Sequence, residues 1–258
     1  MLRFKSLGSG SAGNATLIEA TSGTLTTRVL VDCGLGLRQL DARLQEAGTT
    51  ADELDAIFVT HEHGDHIGCA RAVALRGRIP VWMSHGTHAA CDSPDFDGLL
   101  NRASDGVSIE VGALWLQPFT VPHDAREPLQ LTCTDGDARL GILTDLGHAT
   151  AHVLERLAGC HALLLEANHD PDLLDASAYP AFLKARVSGL YGHLSNTSAA
   201  AIAGSVKHPG LKRVVAAHLS EQNNSPERAQ AALALALGCT PADIGVARQT
   251  TGTDWISV

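Results

Sequence analysis

Hydrophobic and polar positions follow a strand-like pattern over the first 32 residues and switch to a helical period afterwards. LRFKSL (2–7), NATLIEA (14–20) and TTRVLVD (26–32) read as strands, with Thr21-Ser22-Gly23-Thr24 as the turn between the last two. Leu37, Leu40 and Leu44 then recur at helix spacing and stop before Gly48, which suits a helix C-terminus. Next come a strand at Ala56-Ile57-Phe58-Val59, a helix over His66–Arg76 and a strand at Ile79-Pro80-Val81-Trp82. Further strands are predicted at Leu114–Val121, Leu129–Thr134, Leu140–Leu143, Ala162–Leu165 and Leu211–Ala216. Helices fit Ala151–Ala158, Ser198–Val206 and Pro226–Leu237, and the strand-like runs Ile244–Arg248 and Trp255–Val258 close the chain.

Strands lead each half, helices follow, and no Pro/Gly/Ser-rich linker separates the halves. This order predicts one domain over residues 1–258, an α/β four-layer αββα sandwich, with a doubly wound parallel sheet as the alternative. No repeat of 20 to 50 residues argues for a solenoid or propeller.

Composition adds limits. The 258 residues are 45% hydrophobic and 18% charged, the balance of a globular protein. The longest helical apolar run, Ala229–Leu237, is about half of a membrane span. The first residues, MLRFKSLGSGSAGN, lack the apolar core of a signal peptide, so a cytoplasmic location and no membrane partner are expected. Six scattered cysteines without a C-x-x-C pair predict packed thiols rather than disulfides. A net charge of -9 argues against a surface built for wholesale nucleic-acid binding, but leaves a local phosphate site open. The 13 histidines matter more, since imidazole is the commonest metal ligand.

Gly8-Ser9-Gly10-Ser11-Ala12-Gly13 matches G-x-G-x-x-G, with Asp32 about 20 residues on. A dinucleotide site needs a helix after those glycines, whereas NATLIEATSGTLTTRVL is β-branched and turn-rich. A tight loop between strands is expected instead, its amides free to approach a ligand.

The chemistry concentrates in Val59-Thr60-His61-Glu62-His63-Gly64-Asp65-His66, three histidines and an aspartate directly after an apolar strand. Imidazole and carboxylate suit borderline divalent ions. Alternation along an extended loop lets His61 and His63 share a side; Asp65 and His66, further round a turn permitted by Gly64, can face a second ion. A lone Asp or His there would usually be a helix cap. Further residues stand at strand ends: Asp32, His123, Asp145 and His218. Ligands of open α/β sheets gather at the carboxyl ends of strands, so these termini can converge on one rim.

T-H-x-H-x-D-H after a strand, then a His, an Asp and a last His, resembles the metallo-β-lactamase fold superfamily over most of the chain. The resemblance implies that His61, His63 and His123 hold one metal ion, that Asp65, His66 and His218 hold another, and that Asp145 bridges them. Asp32 would then fix the tautomer of a ligand histidine from behind. His63, where the oxygen-reducing di-iron branch has Glu, favours hydrolysis. The segments around Asn14, His123, Asn168 and His169, His193 and His218 are similar to the WalJ/YycJ-type group, associated with 5′-to-3′ exonuclease activity on double-stranded DNA. A cyclic phosphodiesterase group shares much of this layout.

Two divalent ions so placed can generate a bridging hydroxide at neutral pH and stabilise displacement at phosphorus. Asp65 and Asp145 would serve that chemistry as ligands, and His193 is the candidate proton donor, its competing role a cap of the helix near Ser195. Asn14, Asn168 and His169 are read as supports or substrate rim. Zn²⁺ fits the ligand set best, with Mn²⁺ or Fe admissible. The substrate is expected to be DNA or a small phosphodiester. Arg71, Arg76, Arg78, Lys184 and Arg186 could meet phosphates, or could merely be solvated helix faces. The rivals are a hydrolase of cyclic phosphodiesters or thioesters, and a non-catalytic metal-binding module. Nothing in the sequence sets the oligomeric state.

Overall fold

Strands that are apolar on both faces need cover on both sides, and this chain supplies it with two sheets lying between helical layers. The computed structural model describes residues 1–258. The first sheet contains β1 (Leu2–Gly8), β2 (Ala15–Ser22), β3 (Leu25–Val31), β4 (Ala56–Phe58), β5 (Val81–Met83) and β6 (Leu100–Arg102). The second contains β7 (Ile109–Val111), β8 (Leu114–Thr120), β9 (Leu129–Thr134), β10 (Arg139–Leu143), β11 (Ala162–Glu166), β12 (Arg213–Ala217) and β13 (Ile244–Val246). The last strand, β14 (Ile256–Ser257), returns to the first sheet beside β1. Helices α1 (Leu37–Glu46), α2 (Gly64–Ile67), α3 (Ala70–Gly77) and α4 (His85–Ala90) connect strands of the first sheet. Helices α5 (Ala151–Leu157), α6 (Pro171–Ala176), α7 (Ala181–Val187), α8 (Asn196–Ser205) and α9 (Pro226–Leu237) connect those of the second.

Each sheet has an antiparallel half and a parallel half. β1 to β3 form a meander and β3 to β6 run parallel; β7 to β10 alternate and β10 to β13 run parallel. The parallel strands therefore deliver their carboxyl ends to one edge of each sheet.

Period-two alternation sorts the side chains into layers. Val29, Val31, Ala56 and Phe58 face Leu140, Ile142, Leu164 and Val215 in the core between the sheets. Leu30 and Ile57 point the other way, onto Leu40 and Leu44 of α1 and Val73 of α3. Leu163, Leu165, Val214 and Ala216 pack on Val153, Ile202 and Leu233 from α5, α8 and α9. Three apolar layers between four structural layers make the predicted sandwich.

The helix anticipated over His66–Arg76 is two helices. They break at Gly68 (φ 25), where a side chain would meet the Cys33 carbonyl at 2.5 Å. The loop after β3 intrudes there, Cys33 donating to His66 O at 2.7 Å and accepting from Cys69 N at 2.9 Å. Gly64 is not a special turn residue: it opens α2 without a positive φ and with open space around it. The glycines at 10 and 13 do need their positions, at φ 150 and 149, in a loop between β1 and β2 with no helix behind it. No helix is long and apolar enough to cross a membrane.

Candidate metal centre

The carboxyl ends of β3, β4, β8, β10, β11 and β12 meet at one rim and place Asp32, His61, His123, Asp145, Glu166 and His218 there. Asp32 and His218, each the residue after a strand, have left-handed backbones at φ 63 and 52. Such strain in non-glycine residues persists only where the surroundings hold it.

The side chains come together in two trios. Ligand atoms of His61, His63 and His123 lie within 4.8 Å of one another, as do those of Asp65, His66 and His218. Asp145 joins them: its Oδ2 is 3.5 Å from His61 Nε2 and 2.6 Å from His66 Nε2. Asp65 Oδ2 lies 3.6 Å from His66 Nε2 and 3.4 Å from His218 Nε2.

Behind the cluster stand groups that hold its histidines, two by the imidazole and one by the backbone. His66 Nδ1 faces Asp32 Oδ2 at 2.7 Å, and Asp32 also accepts from the Thr60 amide at 2.8 Å and the Thr60 hydroxyl. His123 Nδ1 donates to Gly192 O at 3.1 Å. The His218 amide donates to Ser9 Oγ at 2.8 Å, and the Asn168 amide group to His218 O at 3.0 Å. Asn14 knits the Gly-Ser loop to the cluster, accepting from Gly10 N at 2.9 Å and placing its amide nitrogen 3.0 Å from His66 Nε2.

Two observations fit bound cations. His61 Nε2 is buried with no hydrogen-bond partner, although it points into the cluster. Asp32, Asp145 and Glu166 are 2%, 1% and 0% exposed, and their ionic partners are histidines alone. Buried carboxylates need positive charge close by. Here it must come from histidine protons or bound ions.

The titration behaviour expresses that demand. Burial, with His66 beside it, pushes His61 well below the usual imidazole value. At His66 burial opposes the proton, but the Asp145 and Asp32 carboxylates raise its pKa well above normal. His218 rises to about 9 against its burial, held by Asp145 and Asp65. Asp145 is fully buried, which favours its neutral form, yet His218 and His66 hold it well below the ordinary carboxylate range.

A family model of the beta-lactamase superfamily domain matches residues 27–219. The chain belongs to the beta-lactamase superfamily. It is 30% identical over 258 residues to the exodeoxyribonuclease YycJ of Bacillus anthracis, covering 98% of this chain and 96% of that protein. It is 29% identical over 249 residues to the exodeoxyribonuclease WalJ of Streptococcus pneumoniae, covering 95% and 90%. Among solved structures, the metallo-β-lactamase fold protein YhfI of Bacillus subtilis superposes over 100% of both chains with a TM-score of 0.75 and 16% identity. A diphosphatase of the PhnP family covers 100% of this chain and 98% of its own at 0.70 and 17%. The protein is therefore a metallo-β-lactamase fold hydrolase whose His/Asp clusters bind divalent metal.

Within this superfamily site, His193 does not cap the following helix; Ser195 does, accepting from Ser198 N. His193 Nδ1 instead lies 2.7 Å from Glu166 Oε1 and 3.0 Å from Asp145 Oδ1. One N–H serves one acceptor well, and it serves Glu166, so Asp145 Oδ1 is left unpartnered. Glu166, whose other oxygen accepts from the Leu146 amide at 2.8 Å, is a residue of the cluster that the sequence reading did not single out. Its signal was present: a charged residue ending the apolar run Leu163-Leu164-Leu165. His169, read as a support or a rim residue, is 2% exposed and does not line the cavity, so it stands with the supports and not at the rim; its backbone accepts from Asn196 N at 2.8 Å.

Cys33 and Cys69 join no ligand group, and burial raises both thiols, Cys69 to about 11. The arginines of the α3 region are engaged elsewhere: Arg76 with Asp41, Arg78 with Asp97 and Arg71 with Asp95 O. A cavity of about 340 Å³ opens over the cluster, walled by Asp65, Asp145, His193 and His218 on one side and Leu183, Arg186 and Val187 of α7 on the other. A larger one, about 820 Å³, lies at the start of β12 beside Lys207, Lys212 and Arg213 and holds no such cluster.

Proposed function

We propose that this chain is a dinuclear metal-dependent phosphodiesterase that degrades double-stranded DNA from an end, in the 5′-to-3′ direction. The observation that carries the reading is Asp145 Oδ2 lying between the two histidine-containing trios, within 3.5 Å of one and 2.6 Å of the other. His61, His63 and His123 would hold one ion, Asp65, His66 and His218 the other, and Asp145 would touch both; Zn²⁺ suits this donor set best. Bound there, the ions would supply a nucleophilic water at neutral pH and Lewis acidity toward a phosphate oxygen.

The protein's own groups do the rest. Asp32 and Gly192 O hold the imidazoles of His66 and His123, Asn168 holds the His218 backbone, and the cavity walls seat the phosphodiester. His193, steadied at Nδ1 by Glu166, lines that cavity and has Nε2 free to protonate the leaving oxygen. Two relatives alignable over nearly the whole chain carry exodeoxyribonuclease names, which supports DNA as the substrate.

The test is hydrolysis of end-labelled duplex DNA and of bis(p-nitrophenyl) phosphate by metal-loaded protein, with His61→Ala and Asp145→Asn as controls. Metal-dependent shortening from 5′ ends, lost in both variants, is expected. Cleavage of the small ester alone would replace DNA by a small phosphodiester as substrate. Cleavage of neither would leave a non-catalytic metal-binding module.

A further inference from the structure

Between α6 and the His193 loop the chain leaves the body of the fold: no residue from 175 to 191 is buried. Apolar burial does not account for what it carries. This stretch contains both tyrosines of the protein, Tyr179 and Tyr191, as well as Phe182, Lys184 and Arg186, and no Asp or Glu from 176 to 191. In a chain of net charge -9, a surface segment with two cations and no acid of its own stands apart, although Lys184 Nζ donates to Asp175 O at its start and Arg186 is shared with Asp124 across the cavity. Phe182 and Tyr191 are 76% and 61% exposed, and Leu190 between α7 and the site is 67% exposed.

The segment is nevertheless fixed against the metal centre. The Asp124 amide donates to Tyr191 O at 2.9 Å, and Arg186 Nε donates to Asp124 Oδ2 at 2.7 Å. Gly192 O holds the His123 imidazole, and the His193 amide donates to Val187 O at 2.8 Å. Gly192 and Gly147 allow this approach, since a side chain at either would meet the segment's carbonyls at 2.1 and 2.0 Å. Phe182 lies one helical turn from Arg186 on the same face of α7, and Arg186 lines the cavity.

We propose that residues 176–191 form a platform that holds a strand of nucleic acid at the mouth of the metal centre, with Phe182 and Tyr191 stacking on bases and Lys184 and Arg186 facing phosphates. Exposed aromatics interleaved with cations, beside a site for phosphoryl chemistry, match what an unpaired strand end presents: π-faces on one side and charge on the other. The proposal rests on the phosphodiesterase reading for its substrate, but its own claim concerns binding.

The test uses the full metal-loaded chain and a fluorescent duplex with frayed ends and hydrolysis-resistant phosphorothioate linkages, read by anisotropy. Phe182→Ala with Tyr191→Ala should raise Kd at least about tenfold while Tm stays unchanged, and Phe182→Tyr with Tyr191→Phe should restore binding. Lys184→Gln should lower the slope of log K against log salt by about one. A double-alanine Kd within twofold of wild type would overturn the platform. So would a wild-type chain that ignores the duplex but binds phosphatidylglycerol vesicles. Tight wild-type binding without cleavage of an unmodified duplex would sink the nuclease reading and leave the platform standing; cleavage with unaltered binding in the double-alanine variant would do the reverse.

Discussion

Asp32 holds His66 by its Nδ1 at 2.7 Å, so that the opposite nitrogen, Nε2, faces Asp145. A carboxylate in this position fixes both the tautomer and the ring orientation of a ligand histidine. Asp32→Asn keeps a side chain that tolerates the left-handed backbone at this position but removes the charge. Metal affinity, measured by competition with a chromogenic chelator, should fall roughly 10- to 100-fold. Unchanged affinity would mean that Asp32 serves only to hold the Thr60 loop.

His193 offers a kinetic test of proton donation. A good leaving group such as p-nitrophenolate needs little protonation, whereas the oxygen left on a nucleotide needs it. His193→Gln should therefore slow DNA hydrolysis by roughly 10²- to 10⁴-fold and affect bis(p-nitrophenyl) phosphate far less, with metal content retained. Equal losses on both substrates would assign His193 to shaping the site rather than to acid catalysis. Glu166→Gln should show the same asymmetry in weaker form, because Glu166 acts through His193.

Removing metal should cost stability as well as activity. Ions held, as proposed, between α2 and the ends of β4, β8, β10 and β12 would bind the folded state alone. At 100-fold excess over Kd such binding contributes about 2.7 kcal/mol, equivalent to roughly 5–10 °C in Tm for a domain of this size. Calorimetry with and without a chelator should show that drop in the wild type and a much smaller one in Asp145→Asn. Equal drops in both would remove Asp145 from the ion-binding set.

The fold and most of this cluster were legible because both rest on strong local contrasts. A charged residue at the end of an apolar strand stands out, and Asp32, His61, His123, Asp145 and His218 all stand there. Glu166 has the same placement, but its role depends on a partner 27 residues away that no local pattern reveals. Helix α7 was invisible for the opposite reason: none of its residues is buried, so no apolar periodicity marks it. The break at Gly68 comes from a non-local intrusion, the Cys33 carbonyl. Helix α6 could have been read from Asp170-Pro171, a cap followed by proline in the first turn.

Asp105 provides a pH test away from the metal site. Burial pushes its carboxyl up, but hydrogen bonds from the Thr120 hydroxyl and amide and from His152 outweigh this and hold the pKa below the ordinary carboxylate value. A group depressed in the folded state stabilises above its unfolded pKa, about 3.9 for Asp, and loses that contribution as pH falls through the folded value. Asp105→Asn should therefore lower the urea midpoint at pH 7, and the gap to wild type should narrow by pH 3.5. A gap independent of pH would show that the interaction is not ionic.

Gly34 ties the loop after β3 to the metal-binding turn by close approach. A methyl group there would lie 1.7 Å from the Asp65 carbonyl oxygen, which accepts from Asn14 N at 2.8 Å. Gly34→Ala must therefore push Asp65 outward, taking a candidate ligand with it. Overpacking of this kind costs about 1–3 kcal/mol, so Tm should fall by at least about 3 °C and bound metal should drop in the same sample. Gly204, on the exposed side of α8 with its nearest neighbour at 3.7 Å, has room for a methyl. Gly204→Ala should raise stability by roughly 0.5–1 kcal/mol through helix propensity and leave metal content untouched. If Gly34→Ala instead melts and binds metal like the wild type, the β3 loop can move independently of Asp65, and the close packing between them does not position the ligand.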